Sequence, residues 1–232
     1  MKLQENYDYS VNKLLEIYDI LLEHFGLQGW WPGETPFEIM VGAVLTQNTN
    51  WSNVGKAIDN LKNENLLTFE KLHDLPVEVL AQKIKPAGYF NIKAVRLKNL
   101  LEFMAREHDG SLEEMFALDV HSLREEILTV KGIGPETADS ILLYAGNKPV
   151  FVVDAYTHRI FSRHNIIAAD DGYYEIQEYF LLSLPEDIAL FNEYHALIVR
   201  VGKEFCKKSK PLCQQCPLGE FDGFTYPPDT MT

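Results

Sequence analysis

Apolar residues recur at a helical period along nearly the whole chain, and that pattern restricts it to packed helices. In residues 10–25, Val11, Leu14, Leu15, Ile17, Tyr18, Leu21, Leu22 and Phe25 fall on one broad stripe, the mark of a helix with one buried face. The same reading predicts helices over 36–46, 52–63, 68–73, 76–84, 91–107, 111–116, 120–129, 135–146, 153–164, 172–184 and 188–203. The short apolar run 150–153 could pass for a strand, but no partner strand is evident. The expected fold class is all-α. A chain of 232 residues suffices for one large domain or two small ones that share segments. No repeat, linker or low-complexity tract is seen. The last ten residues, with Asp222-Gly223 and Pro227-Pro228, read as an irregular tail.

The N-terminus carries acids where a signal peptide would be apolar. The longest apolar run, Ile39 to Leu45, is far too short to cross a bilayer. A cytoplasmic protein without a membrane partner is therefore expected. The net charge of −13, taken alone, argues against a polyanionic partner, because phosphate contacts need Lys or Arg. Distribution matters more than the sum. Bases gather at Lys83, Lys85, Lys93, Arg96 and Lys98, and again at Lys203, Lys207, Lys208 and Lys210, so a basic face is expected on an acidic molecule. Cys206, Cys213 and Cys216 are the only cysteines. An odd number packed so closely reads as metal binding, not as a disulfide frame. No histidine lies nearby to complete a tetrahedral set, which argues against zinc.

The most informative segment is Leu128-Thr-Val-Lys131-Gly132-Ile133-Gly134-Pro135-Glu136-Thr137-Ala138-Asp139. Two glycines bracket one apolar residue between two helices, and Pro135 stands at a first helical position, where its missing N–H costs nothing. Glycines at a helix N-terminus let backbone N–H groups approach an anion that the helix dipole favours. Such a turn can hold a DNA phosphate, directly or through a bound cation, with Ile133 plugging the helices together. The local pattern alone fits a plain helix–turn–helix connection equally well. Asp154 follows the apolar run and opens a helix. It is a candidate catalytic carboxylate, and it is also a favoured N-cap.

Taken together, Val130-Lys-Gly-Ile-Gly-Pro-Glu-Thr-Ala-Asp139 and Val152-Val-Asp154-Ala-Tyr156-Thr-His158-Arg159 resemble the hairpin and aspartate of the helix-hairpin-helix-Gly/Pro-Asp DNA glycosylases, the endonuclease III-like superfamily. Gly42-Ala-Val-Leu-Thr46-Gln47-Asn48-Thr49 resembles its early helix and wedge segment. Trp30-Trp31-Pro32 and Lys85-Pro-Ala-Gly-Tyr-Phe-Asn-Ile-Lys-Ala94 are similar to the 3-methyladenine DNA glycosylase III subfamily. The resemblance runs from about Trp30 to Cys216.

That resemblance implies base excision repair of double-stranded DNA carrying a damaged base, by a chain acting alone. It implies two helical lobes with a DNA-binding cleft and Asp154 at the pocket mouth. Residues 33–147 would form a six-helix barrel ending in the hairpin motif at about 120–146, and 1–32 with 148–232 a second lobe. Asp154 would steady the oxocarbenium-like sugar left as a base departs and direct the attacking water. Family members that also cut the backbone use a lysine after the hairpin; the matching residue here is Glu136, which cannot form an imine. A monofunctional glycosylase is expected. Trp30, Trp31, Pro32, Trp51 and Lys203 match pocket positions, where facing indoles would hold an N-alkylated purine such as 3-methyladenine by stacking and cation–π attraction. Asn48, or alternatively Gln47, matches the side chain that fills the gap left by the flipped base. Cys206, Cys213 and Cys216 match three ligands of a [4Fe–4S] loop, and Asp222 stands where the family has the fourth cysteine. The rival readings are a glycosylase/lyase for oxidised or mismatched bases and a non-catalytic DNA-binding module.

Overall fold

A computed structural model describes residues 2–221, with side chains from residue 13 onward. Twelve α-helices and no strand occur among the described residues. The chain divides into two compact units, Met1–Trp30 with Pro149–Thr232, and Trp31–Lys148.

The second unit carries α2 (Pro36–Leu45), α3 (Trp51–Asn63), α4 (Phe69–Asp74), α5 (Val77–Lys83), α6 (Phe90–His108), α7 (Leu112–Ala117), α8 (Val120–Leu128) and α9 (Pro135–Ser140). Helix α2 is apolar on all sides, and such a helix must be surrounded. It is, by α3, α6, α9 and the turn that follows α9. Its start is fixed by Pro36 at the first position and by Thr35, whose Oγ1 accepts from Glu38 N at 3.2 Å. The expected continuous helix over 135–146 is not uniform. After Ser140 it widens into a π turn, Ile141–Ala145, closed by Gly146 N donating to Ile141 O at 3.0 Å. Helices α8 and α9, the two arms of the hairpin, are braced by a two-pronged ion pair. Arg124 Nε and Nη2 donate to the fully buried Asp139 at 2.6 and 2.9 Å.

The first unit carries α1 (Lys2–Phe25), α10 (Ala155–Arg163), α11 (Tyr173–Ser183) and α12 (Ile188–Glu204). Helix α1 begins earlier than the stripe at 10–25 suggests, its first turns being too polar to show in an apolar pattern. Helix α12 packs against α1 and α10. Aromatic rings fill this core: Phe151 stacks on Phe180 at 4.2 Å, and Phe161 meets Phe180 edge-on at 4.8 Å. The run 150–153 is buried but pairs with no strand. Side chains serve its backbone instead. Gln177 Nε2 donates to Phe151 O at 2.7 Å, and Val153 N donates to the Tyr173 hydroxyl at 3.5 Å. Buried backbone groups must find partners, and here α11 supplies them.

Candidate active site and hairpin

Asp154 sits at the N-cap of α10 in extended backbone. Its Oδ1 accepts from Tyr156 N at 2.9 Å, Thr157 N at 2.8 Å and Thr157 Oγ1 at 3.0 Å. The cap thus consumes one carboxylate oxygen. The other, Oδ2, faces His195 Nε2 of α12 at 3.6 Å. Burial pushes this carboxyl upward, but His195 and the Thr157 donors outweigh it and hold Asp154 below the usual carboxylate range. The side chain is 11% exposed, so a rigid, ionised carboxylate is presented with little water around it. The N-cap and catalytic readings of Asp154 are compatible, because they use different oxygens.

His195 has no place in the sequence motifs. It lies within the buried run 194–199 of α12 and is itself buried. The available signal was a polar side chain inside an otherwise apolar stretch. Close packing of the two helices here depends on Gly202. A Cβ at that position would stand 2.3 Å from the Tyr156 ring.

In the other unit, the hairpin turn connects α8 to α9. Ile133 is buried while Lys131, Gly132 and Gly134 are exposed. The two glycines do different work. Gly132 has φ +97 and a Cβ there would meet Arg96 Cγ at 2.5 Å, whereas Gly134 is extended and has nothing within 4 Å. The turn is tied to its surroundings by side-chain amides. Asn99 Nδ2 donates to Lys131 O at 2.9 Å. Gln47 Nε2 donates to Gly132 O at 3.2 Å and to Thr137 Oγ1 at 3.0 Å, while Gln47 Oε1 accepts from Arg96 Nη1 at 2.6 Å. Gln47 is therefore engaged on both ends. Its neighbour Asn48 is exposed and left-handed, with φ 53. Glu136 is exposed on the first turn of α9.

The aromatic residues are divided between the units. Trp31 and Trp51 meet edge-on at 4.8 Å and 86°, and Trp31 also lies 4.8 Å from Tyr144. Gly42 makes room for them; a Cβ there would reach Trp51 at 3.3 Å. The two indoles touch each other, so they form a shared surface and not a pair of facing plates. Pro32 is exposed beside them in sequence. In the other unit, Lys203 Nζ stands 6.0 Å from the Trp30 ring centre. Partial burial lowers the Lys203 ammonium below its ordinary range; Asp154 pulls it up and Arg200 pushes it down.

The first basic cluster is not a free face. Lys93 is buried and donates to Leu45 O at 2.7 Å and Ala87 O at 2.8 Å; burial and Arg96 push it down to about 8. Lys98 donates to the carbonyls of Leu72, His73 and Leu75, Lys83 pairs with Glu64, and Arg96 serves Gln47. Helix ends leave carbonyls unsatisfied, and most of these cations are spent on them or on neighbouring side chains. Lys85, Lys131, Lys207, Lys208 and Lys210 remain exposed.

Cys206, Cys213 and Cys216 line one small pocket. Arg163 Nη1 donates to Cys206 Sγ at 3.2 Å. Burial raises the Cys213 thiol and pushes Cys216 up to about 11. The absence of a histidine near the cysteines holds only along the chain. His164, from the end of α10, lines the same cavity, where burial lowers it to about 4 and keeps it neutral. Even so, among the described residues no three His, Cys, Asp or Glu side chains form a group that could hold a single metal ion. Asp222 lies outside the described residues. Arg159 and Arg163 of α10 grip this loop, donating to the carbonyls of Cys206, Lys207 and Lys208 at 2.8, 2.9 and 3.1 Å. Asp154 and the cysteine loop thus hang from the same helix. No described helix is long and apolar enough to cross a membrane.

Residues 41–186 match the family model of the HhH-GPD superfamily base excision DNA repair proteins. The chain is 50% identical over 210 residues to MJ1434 of Methanocaldococcus jannaschii, whose name places it among DNA repair glycosylases; the match covers 90% of this chain and 94% of that one. Its structure is similar to that of a Helicobacter pylori 3-methyladenine DNA glycosylase bound to 1,N6-ethenoadenine, with a TM-score of 0.71, 31% identity, and coverage of 84% of this chain and 97% of that one. It also shares the fold of endonuclease III in a non-covalent DNA complex, with a TM-score of 0.76, 23% identity, and coverage of 90% and 92%.

Proposed function

The chain belongs to the HhH-GPD superfamily of base excision DNA repair proteins, and on that premise we propose a monofunctional DNA glycosylase that removes N-alkylated purines, 3-methyladenine among them. The observation that carries the chemistry is the carboxylate of Asp154, capped through Oδ1 and presenting Oδ2. As the base leaves, positive charge develops at C1′ of the sugar, and a preorganised carboxylate stabilises it in a site with little water. The same oxygen can accept a proton from the attacking water. An alkylated purine is already a good leaving group, so no strong general acid is required. Glu136 stands at the lyase-lysine position, and a carboxylate forms no Schiff base. The abasic product is left uncut.

The indole surface of Trp31 and Trp51, with Pro32, offers a flipped base stacking worth about 0.5–2 kcal/mol per ring, while Trp30 and Lys203 form an aromatic–cation contact of their own. Asn48 is the side chain offered to the gap in the stack, while Gln47 holds the wedge segment to the hairpin. The hairpin Lys131, Gly132, Ile133 and Gly134 takes a phosphate through its free backbone N–H groups, Ile133 plugging the turn with its own N–H given to Val130 O, and a cation joins when DNA binds. Cys206, Cys213 and Cys216, which line one pocket, would hold a [4Fe–4S] cluster at three corners. A cluster there would pin the loop that α10 grips through Arg159 and Arg163. The protein works as a monomer on double-stranded DNA in the cytoplasm.

The test is a panel of duplexes carrying one lesion each, with product identification and borohydride reduction. Release of 3-methyladenine or 1,N6-ethenoadenine with no trapped protein–DNA adduct is expected. Preferential release of an oxidised pyrimidine or 8-oxoguanine with adduct trapping would establish the lyase reading. Binding without release on every lesion would establish the non-catalytic one.

A further inference from the structure

Asp154 is held in two unlike ways. Three donors from its own helix converge on Oδ1, and none of them reaches Oδ2. Among the described residues, the side chain that faces Oδ2 is His195, at 3.6 Å and from a different helix. That separation is just beyond a direct hydrogen bond, and a small movement of α12 or of the carboxyl closes it. His195 is buried, in the stretch of α12 that also buries Tyr194 and the residues up to Val199. A polar ring costs free energy in such surroundings unless it interacts.

We propose that His195 is a positioning residue for base release: it holds Oδ2, the oxygen left over from the cap, in the orientation and the ionised state from which it acts on the sugar. This rests on the glycosylase reading of Asp154. Any form of the ring with a proton on Nε2, neutral or cationic, donates toward Oδ2 and opposes protonation there. Without it, the cap donors on Oδ1 would be left to offset burial without the largest lowering influence on the carboxyl, which would protonate more readily.

The other groups around Asp154 do not substitute for His195. On α10, Thr157 is committed to Oδ1, and Arg159 is committed to the carbonyls of Cys206 and Gly202. The Tyr156 hydroxyl is raised by burial and then by the negative charge of Asp154, so it is protonated throughout the working range. On α11, Tyr173 meets Val153 N. On α12, Lys203 acts on Asp154 through its charge and stands 6.0 Å from the Trp30 ring centre, and Arg200 pairs with Glu204 and donates to Gln28. His195 is thus the buried group specific to Oδ2.

The experiment is single-turnover base release from alkylated duplex across about pH 5–9, on the full chain, for wild type, His195→Leu, His195→Gln and Asp154→Asn. His195→Leu should lower release about 10-fold or more on the acid side, as expected when a catalytic group loses its placement. The acid limb of its profile should move to higher pH, with lesion-duplex affinity unchanged. His195→Gln, whose amide N–H can still donate, should recover most of the rate. In parallel, the Asp154 carboxyl is titrated by its carbon NMR shift; it should protonate at higher pH in His195→Leu. That readout is independent of which base is the substrate. A titration and a rate profile that superimpose on wild type overturn the proposal. So does an equal loss at every pH with no recovery by Gln, the signature of packing alone. Asp154→Asn separates the two layers: if it still releases base, the reading of Asp154 fails, whereas an inactive Asp154→Asn with an unperturbed His195→Leu defeats only the role of His195.

Discussion

The hairpin at 131–134 and the carboxylate at 154 are built on opposite principles. The hairpin offers backbone atoms. Apart from the exposed Lys131 its side chains are absent or buried, and what matters is that the chain can make the turn at all. Gly132 alone carries the conformational demand, while Gly134 needs no special backbone and leaves open space. Asp154 offers one side-chain oxygen. Its backbone is ordinary, and what matters is that surrounding donors leave Oδ2 rigid and ionised. The difference teaches where each region is fragile. A backbone site fails through strain or loss of support beneath it, whereas a side-chain site fails through loss of its partners with the fold intact.

The brace under the hairpin should therefore show the largest effect on stability. Asp139→Asn leaves the Arg124 guanidinium largely buried without its charge partner, and breaking such a pair costs about 3–5 kcal/mol. Urea unfolding checks this; a loss under about 1 kcal/mol would mean that the pair does not hold α8 to α9. Smaller effects are expected in the turn itself. Gly132→Ala should weaken binding to undamaged duplex by about 1–3 kcal/mol, the cost of forcing a side chain into that backbone, and Gly134→Ala by much less. Titration of both variants with duplex DNA at one salt concentration decides the matter. Equal losses would mean that the turn is gripped by shape around both glycines and not by the strain at one.

Much of this was legible in the sequence because it is local. The helices from 36 onward follow the apolar period, and the two glycines, Pro135 and Asp154 declare themselves within a few residues of their function. What was not legible depends on contacts far apart in the chain. The bond from Gln47 to Gly132 joins residues 85 apart, so from sequence Gln47 reads as the alternative to Asn48 for the wedge and not as a support of the hairpin. His195 sits in an apolar run and resembles any core histidine until its approach to Asp154 is seen. His164 is distant from Cys206 along the chain yet lines the cysteine cavity. The basic run at 83–98 reads as a DNA-facing patch, whereas burial and helix-end carbonyls take up most of it. The π turn after Ser140 has the same apolar pattern as a continuing helix.

The most direct test of the account is the Asp154→Asn variant, which keeps the size of the side chain and the acceptor for the α10 cap. Release of an alkylated purine should fall by about 10²-fold or more, the scale of losing one preorganised transition-state group. Thermal stability and affinity for a duplex carrying an abasic-site analogue should stay near wild type. Base release that survives in this variant would contradict the account, because the chemistry would then not run through that carboxylate.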